Sequence, residues 1–195
     1  GFSTELGGGE AGTPLSIAPD VWYGINDKLS AGAVTSIDGR TGFWGGQTGP
    51  LGTGVCLSDE PGTDGVAAGC NGVFDNVGVE ALYALMAGAS LGLAANAGLH
   101  ALSFDPNLLD VKLGARVTGR WGRIGAGFDP SLFIALTERG DEGGNKDFLF
   151  LPVDVSVTVI SRFSLGLQSG IAGPLSGFGE AYVVPVAFGG RFAIN

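Results

Sequence analysis

The sequence predicts an all-β fold, an antiparallel up-and-down transmembrane β-barrel of about ten strands. Three observations carry this expectation. Apolar and polar residues alternate with period two in segments of about ten residues, separated by turn-rich stretches. The second face of each segment holds Gly, Ala and Ser with isolated charges of both signs, which suits a narrow lumen. Hydrophobic residues make up 45% of the 195 residues and the mean hydropathy is +0.33. No apolar run reaches the roughly 18 residues that a membrane-spanning helix requires.

Taken in chain order, a short first strand is expected around Phe2 to Leu6. Leu15, Ile17, Val21, Tyr23 and Ile25 then oppose Ser16, Asp20 and Gly24. Leu29, Ala31, Ala33 and Ile37 oppose Ser30, Gly32 and Ser36. A long outer loop is expected over 39–75. Beyond it, Val77, Val79, Ala81, Tyr83 and Leu85 oppose Gly78, Glu80 and Ala84. Leu91 to Ser103 repeats the pattern, with Gly92, Asn96, Gly98 and His100 on the polar side. The split is sharpest in Leu109 to Trp121, where Asp110, Lys112, Gly114, Arg116, Thr118 and Arg120 share one face. Ile124 to Leu136, Leu149 to Val159, Phe163 to Ile171 and Tyr182 to Ile194 complete the set. Successive side chains of a strand point to opposite sides, so each segment has an apolar and a polar face.

Turn lengths fit the same layout. Short connections fall at Asn26-Asp27-Lys28, Ala87-Gly88-Ala89, Arg120 to Arg123 and Ser161-Arg162, and longer ones at 39–75, 139–147 and 173–179. Short turns at one end and longer loops at the other are the barrel arrangement. The rival is a soluble antiparallel sandwich, which also alternates but carries its polar residues outward. Aromatic residues including Trp22, Tyr23, Trp121, Phe148, Phe163 and Tyr182 fall near strand ends, where interfacial girdles are expected. Pro19, Pro130, Pro152 and Pro185 fall inside expected strands. Each lacks an N–H, so bulges or early strand ends are expected there.

The net charge of −9 argues against nucleic acid as a partner, since phosphates need a basic face. Glycine, at 37 residues, shows no three-residue period, which excludes collagen. Cys56 and Cys70 lie in one polar segment, and a disulfide between them fits an oxidising compartment. Such a bridge would contribute roughly 3 kcal/mol on the chain-entropy model. Zinc is a poor alternative because the single histidine, His100, is distant in sequence. The acidic loops carry oxygen ligands for calcium without any motif spacing, so no metal and no cofactor is expected.

The candidate site is the lumen itself. Its expected lining is Asp20, Glu80, His100, Asp110, Lys112, Arg116, Arg120, Asp129, Asp154 and Arg191. Charges in a confined lumen must be paired or hydrated. The same set therefore reads as a self-neutralising plug or as the selectivity lining of a narrow pore. An enzymatic role is not expected. His100 faces inward by parity, and Ser103 falls on the other face, which disfavours a lipid-modifying Ser–His pair.

Several stretches carry a family resemblance. Gly9-Glu10-Ala11-Gly12-Thr13-Pro14, Pro19-Asp20-Val21-Trp22-Tyr23-Gly24, Gly98 to Pro106 and Ile171-Ala172-Gly173-Pro174-Leu175 look similar to uncharacterised barrels of myxobacteria-type Gram-negative bacteria. More broadly, the chain resembles outer-membrane β-barrels of the porin-like superfamily. The resemblance implies one barrel domain over 1–195 in a bacterial outer membrane. Lipid bilayer and lipopolysaccharide would then surround it, and its function would be a narrow pore or passive channel or, alternatively, a structural or adhesion barrel. It transfers no catalytic motif. Such barrels usually end on an aromatic residue, whereas this chain ends Phe192-Ala193-Ile194-Asn195. A parent protein of about twelve strands would fit that departure.

Overall fold

The computed structural model describes residues 4–6, 15–17, 20–35, 54–56, 74–75, 77–104, 107–140, 145–182, 184 and 186–192. The described residues are all-β and contain no helix. The strands are β1 (Thr4–Leu6), β2 (Leu15–Ile17), β3 (Val21–Gly24), β4 (Leu29–Val34), β5 (Gly54–Cys56), β6 (Phe74–Asp75) and β7 (Val77–Ala87). They continue with β8 (Leu91–Phe104), β9 (Asn107–Trp121), β10 (Ile124–Phe128), β11 (Ser131–Ala135), β12 (Phe148–Ile160), β13 (Phe163–Pro174) and β14 (Val186–Phe192).

The main sheet runs β14-β13-β12-β10-β9-β8-β7-β4-β3, and β11 pairs with the same two neighbours as β10, namely β9 and β12. Phe128 pairs with Val117 and Ser131 with Gly114, so β10 and β11 keep one register along β9. They form one strand interrupted at Asp129-Pro130, because Pro130 has no N–H to give. The sheet thus has ten strand segments in nine positions, every neighbour antiparallel. Since direction alternates, the two end strands β3 and β14 run the same way.

A second, four-stranded sheet has the order β1-β2-β5-β6. β6 is separated from β7 by Asn76 alone, and β2 precedes β3 by three residues. The strand expected over 15–25 is therefore divided into β2 and β3. The segment expected as an outer loop, 39–75, itself contributes β5 and β6. Cys56 closes β5, while Cys70 lies outside the described residues, which hold no disulfide. Pro19 and Pro185 also lie outside them. Pro152 stays within β12 opposite Gly170, whose φ of +150° is one that glycine adopts readily.

The tight connections are built from local chemistry. Trp121 pairs with Ile124 across a two-residue turn whose Gly122 has φ +59°. The Asn26 side-chain oxygen accepts from the N–H groups of Lys28 and Leu29, both at 2.9 Å, and folds the β3–β4 link back.

The sheet is strongly sheared. One row of ladder partners runs Val186, Ser169, Val153, Phe128, Val117, Leu93, Met86. It begins at the loop-side end of β14 and finishes near the turn-side end of β7. Such stagger accompanies the strand tilt of a sheet that rolls up. Rolling is also visible in a single cavity lined by Trp22 of β3 and Gln168 of β13, from near opposite ends of the strand order.

The two faces are inverted relative to a soluble domain. Val79, Tyr83, Leu91, Leu99, Leu113, Trp121, Val155 and Leu167 are exposed. Asp20, Glu80, Asn96, His100, Asp110, Lys112, Asp129 and Gln168 are buried. Water-soluble sheets put the apolar face inside and almost never bury Lys, Glu or Asp wholesale. The sandwich alternative expected the opposite assignment.

Candidate functional site: the polar interior

Two regions occupy the concave face. On the loop side is a sealed cluster. Glu80 projects from β7 and Lys112 from β9, with β8 between them. Their ladder partner on β8 is Gly98. A Cβ at Gly98 would lie 2.8 Å from Glu80 Cγ, so only glycine leaves Glu80 room to cross β8. Glu80 Oε1 then accepts from Lys112 Nζ at 2.6 Å and meets His100 Nε2 at 3.0 Å, while Oε2 accepts from Asn96 Nδ2 at 3.0 Å. One row further towards the loops, Gly78 lies under the His100 ring, which a Cβ would approach to 2.6 Å. Asp110 stands beyond His100 on β9 and accepts from the Asn145 amide.

An apolar group completes the seal. Phe133 of β11, Phe150 of β12 and Ala172 of β13 pack together with Phe148 against them. The Phe133 ring stands edge-on to His100 at 5.4 Å and lies 5.6 Å from Lys112 Nζ. His100 is 0% and Lys112 1% exposed. Burying such charges is unfavourable unless each is paired and hydrogen-bonded, a condition this constellation meets for the Glu80–Lys112 pair.

On the turn side the interior is open. A cavity of about 850 Å³ is lined by Asp20, Trp22, Arg116, Arg120, Arg123, Asp154 and Gln168, with the hydroxyls of Thr118, Ser156, Thr158 and Ser164. Arg116 Nε donates to Asp129 Oδ2 at 3.1 Å, the carboxylate projecting from the Asp129-Pro130 interruption. The interruption forced by Pro130 thereby places an interior ion pair.

The expected lining can be scored residue by residue. Glu80, His100, Asp110 and Lys112 come together in the sealed cluster. Asp20, Arg116, Arg120 and Asp154 line the cavity, and Asp129 is buried beside Arg116. Arg191 is placed on β14 opposite Ser164, and its side chain lies outside the described set. Sequence reasoning missed Phe133 and Phe150, because parity was used to gather polar residues and these two aromatics share the polar face. Arg123, which the alternation puts on the polar face at the start of the Ile124 segment, is not among the expected lining residues and yet lines the cavity. Two aromatics expected in an interfacial girdle face inward instead: Trp22 lines the cavity and Phe148 packs on the apolar group. Tyr23 and Trp121 at the turn end and Phe104 and Tyr182 at the loop end are exposed.

Outside the sheet, the loop after β11 is tied by Arg139, which pairs with both carboxylate oxygens of Asp147 at 2.8 and 2.9 Å and also donates to the Ala135 carbonyl. This bidentate contact holds the Asp147 carboxyl below the usual carboxylate range. Among the described residues no group of histidine, cysteine and carboxylates has the arrangement of a metal site.

Fold and interior together define a class: an all-β antiparallel sheet protein with an apolar outer face and a charged, partly filled interior. No family model and no curated protein matches the chain. Among solved structures it has a weak likeness to a bacterial polysaccharide outer membrane secretin, with TM-score 0.44 and 13% identity, over 94% of this chain. The chain spans 57% of that protein's length.

Proposed function

We propose that this chain is an outer-membrane β-barrel whose interior is plugged by its own side chains on the loop side and open as a polar vestibule on the turn side. The inversion of faces carries the reading. A belt of Leu, Val, Ile and aromatic residues is favourable against lipid, while Glu80 pairs with Lys112 and Asp129 with Arg116 inside. Lipid bilayer and lipopolysaccharide are the surroundings that such a belt fits.

Strand direction supports a route to closure. With nine positions, β3 and β14 would meet as parallel neighbours. β1 is antiparallel to β2 and is the end strand of its sheet; with β2 running on into β3 through three residues, β1 falls in this reading on the free side of β3. Inserting β1 between β14 and β2–β3 makes ten antiparallel positions, the even count that single-chain bacterial barrels use.

The narrow pore is the second reading, favoured by the mixed charges of Arg116, Arg120 and Asp154 on the open half. It requires the Glu80–His100–Lys112 cluster to move. In the plugged-barrel reading His100, which is fully buried, belongs to the plug. The test is heat-modifiable gel migration in detergent, followed by planar-bilayer recording. Anomalous migration that reverts on boiling with a silent bilayer fits the plugged barrel. Steady conductance moves the assignment to the pore, and normal migration of a protein soluble without detergent removes both.

A further inference from the structure

We propose that the turn-side vestibule is a binding site for a small anionic, hydroxyl-bearing solute, the chemical class of a sugar phosphate, with Arg120 and Arg123 as its anion clamp. Both arginines line the cavity, and among the described residues neither has a carboxylate partner. By contrast, Arg116 is held by Asp129 and Arg139 by Asp147. The chain has only 10 Lys and Arg against 19 Asp and Glu. Three arginines, Arg116, Arg120 and Arg123, thus meet two carboxylates, Asp20 and Asp154, in the lining of one cavity, a local excess of positive charge contrary to the bulk charge that makes the mouth attractive to anions. Arginine presents planar paired donors that match phosphate or carboxylate oxygens.

The rest of the wall selects the body of the ligand. Thr118, Ser156 and Thr158 present hydroxyls from β9 and β12 into the same space. Glycines hold the backbone back around them: a Cβ at Gly92 would lie 2.7 Å from Thr118 Oγ1, and one at Gly125 would lie 2.8 Å from Ser156 Oγ. Trp22 supplies an indole on another wall, with its ring over Gly32. An indole with neighbouring hydroxyls suits a sugar, which has an apolar ring face and hydrogen-bonding edges. A volume of about 850 Å³ is far more than an inorganic anion fills and falls in the range of small-molecule pockets. On the inward face of β9, Arg116 lines the cavity and Lys112, one turn of the pleat beyond Gly114, is fully buried. Entry is thus from the turn end.

The site goes beyond the barrel assignment, and its test separates the two. The full chain, folded in detergent and shown to be heat-modifiable, is titrated calorimetrically with glucose 6-phosphate, inorganic phosphate and glucose. The expected result is binding of glucose 6-phosphate at least tenfold tighter than of phosphate or glucose. R120Q/R123Q should weaken it at least tenfold with unchanged gel migration. Arg162→Gln, which removes one arginine charge from the neighbouring β12–β13 turn outside the cavity, should leave it as it is. Absence of heat with glucose 6-phosphate, or equal binding by R120Q/R123Q, overturns the site. Equal affinity for phosphate and glucose 6-phosphate overturns the assignment of the hydroxylated body. Binding of glucose 6-phosphate by a parent chain whose migration does not shift on boiling counts against the barrel and not against the site.

Discussion

Leu113 offers the sharpest test of the membrane assignment. It sits at the centre of β9 on the outward face, 47% exposed, with Ala97 and Leu132 as ladder neighbours. If that face meets water, Leu113→Arg replaces one exposed side chain by another and stability changes by no more than about 0.5 kcal/mol. If it meets the middle of a bilayer, the same change costs about 2–4 kcal/mol. At about 3 kcal/mol the ratio of folded to unfolded chain falls by somewhat more than a hundredfold. Val155 occupies the equivalent place on β12 and is 50% exposed, so Val155→Arg should match. Val159, the outward residue nearest the turn end of β12, is an internal control, since arginine near the interface costs about 0–1 kcal/mol. The assay is equilibrium folding into lipid vesicles against urea, with the variants compared at one lipid composition. The outward-face argument requires a depth profile, large at 113 and 155 and small at 159. A flat profile with all three within about 0.5 kcal/mol of the parent would refute it.

Further expectations concern the interior, the seam and the loop. Glu80→Gln leaves Lys112 without its carboxylate in a sealed site and should cost about 3–5 kcal/mol in the same folding assay. Adding Lys112→Met should recover part of that, so that the double variant loses less than the sum of the singles. Gly98→Ala puts a Cβ 2.8 Å from Glu80 Cγ and 2.9 Å from the Val79 carbonyl, and should cost about 1–3 kcal/mol. Gly24→Ala, with nothing within 4 Å, should cost nothing measurable. Closure through β1 predicts that cysteines at Thr4 or Leu6 form oxidised cross-links with cysteines at Val186 or Phe188 when Cys56 and Cys70 are replaced by serine. Failure of every pair to cross-link in the folded protein counts against that seam. The Asp147 carboxyl, hydrogen-bonded to Arg139, titrates below the ordinary aspartate value of 3.8, so the pairing contributes above that pH and is lost as pH falls through the lower folded value. Protease nicking between β11 and β12 should therefore stay constant from neutral pH down to about 4 and rise below it. Asp147→Asn should nick at the high level throughout.

Much of this architecture is written in the alternation, because a strand's period of two assigns each residue to a face without knowledge of the partners. That is why Asp110, Lys112, Arg116 and Arg120 were placed on one side from β9 alone. Alternation does not encode what happens across strands. That Glu80 reaches Lys112 depends on Gly98 standing between them in the ladder, and the register linking three strands is a tertiary property. Phe133 and Phe150 escaped notice for a related reason. On an inward face, an aromatic is a filler of space left by small neighbours, and its hydrophobicity conflicts with the parity that assigns it there. Pro130 was recognised as a disruption, but its use, presenting Asp129 to Arg116, becomes apparent only when β9 lies alongside. The division of 15–25 into two strands and the strands within 39–75 were beyond the pattern, since segments of two to four residues carry too few periods to register.

Glycine explains how so narrow an interior holds both a plug and a vestibule. In the sealed half, Gly78 and Gly98 alternate in the ladder with His100, Glu80 and Lys112, so that each long side chain lies over a residue with none. Space removed from one strand is filled from the next, and ion pairing becomes possible across an intervening strand. In the open half, Gly92 and Gly125 again stand beside larger neighbours, but those neighbours are Thr118 and Ser156, too short to bridge the gap. The lumen is accordingly filled where glycine faces long side chains and empty where it faces short ones. This gives a means of separating plug from vestibule by design. Ser156→Phe should fill the vestibule and abolish ligand binding without touching the Glu80 cluster, whereas Phe133→Ala should loosen the seal and leave the ligand site intact. A bilayer recording that turns conductive in Phe133→Ala alone would locate the barrier to passage at the cluster, as the burial of Lys112 and His100 implies.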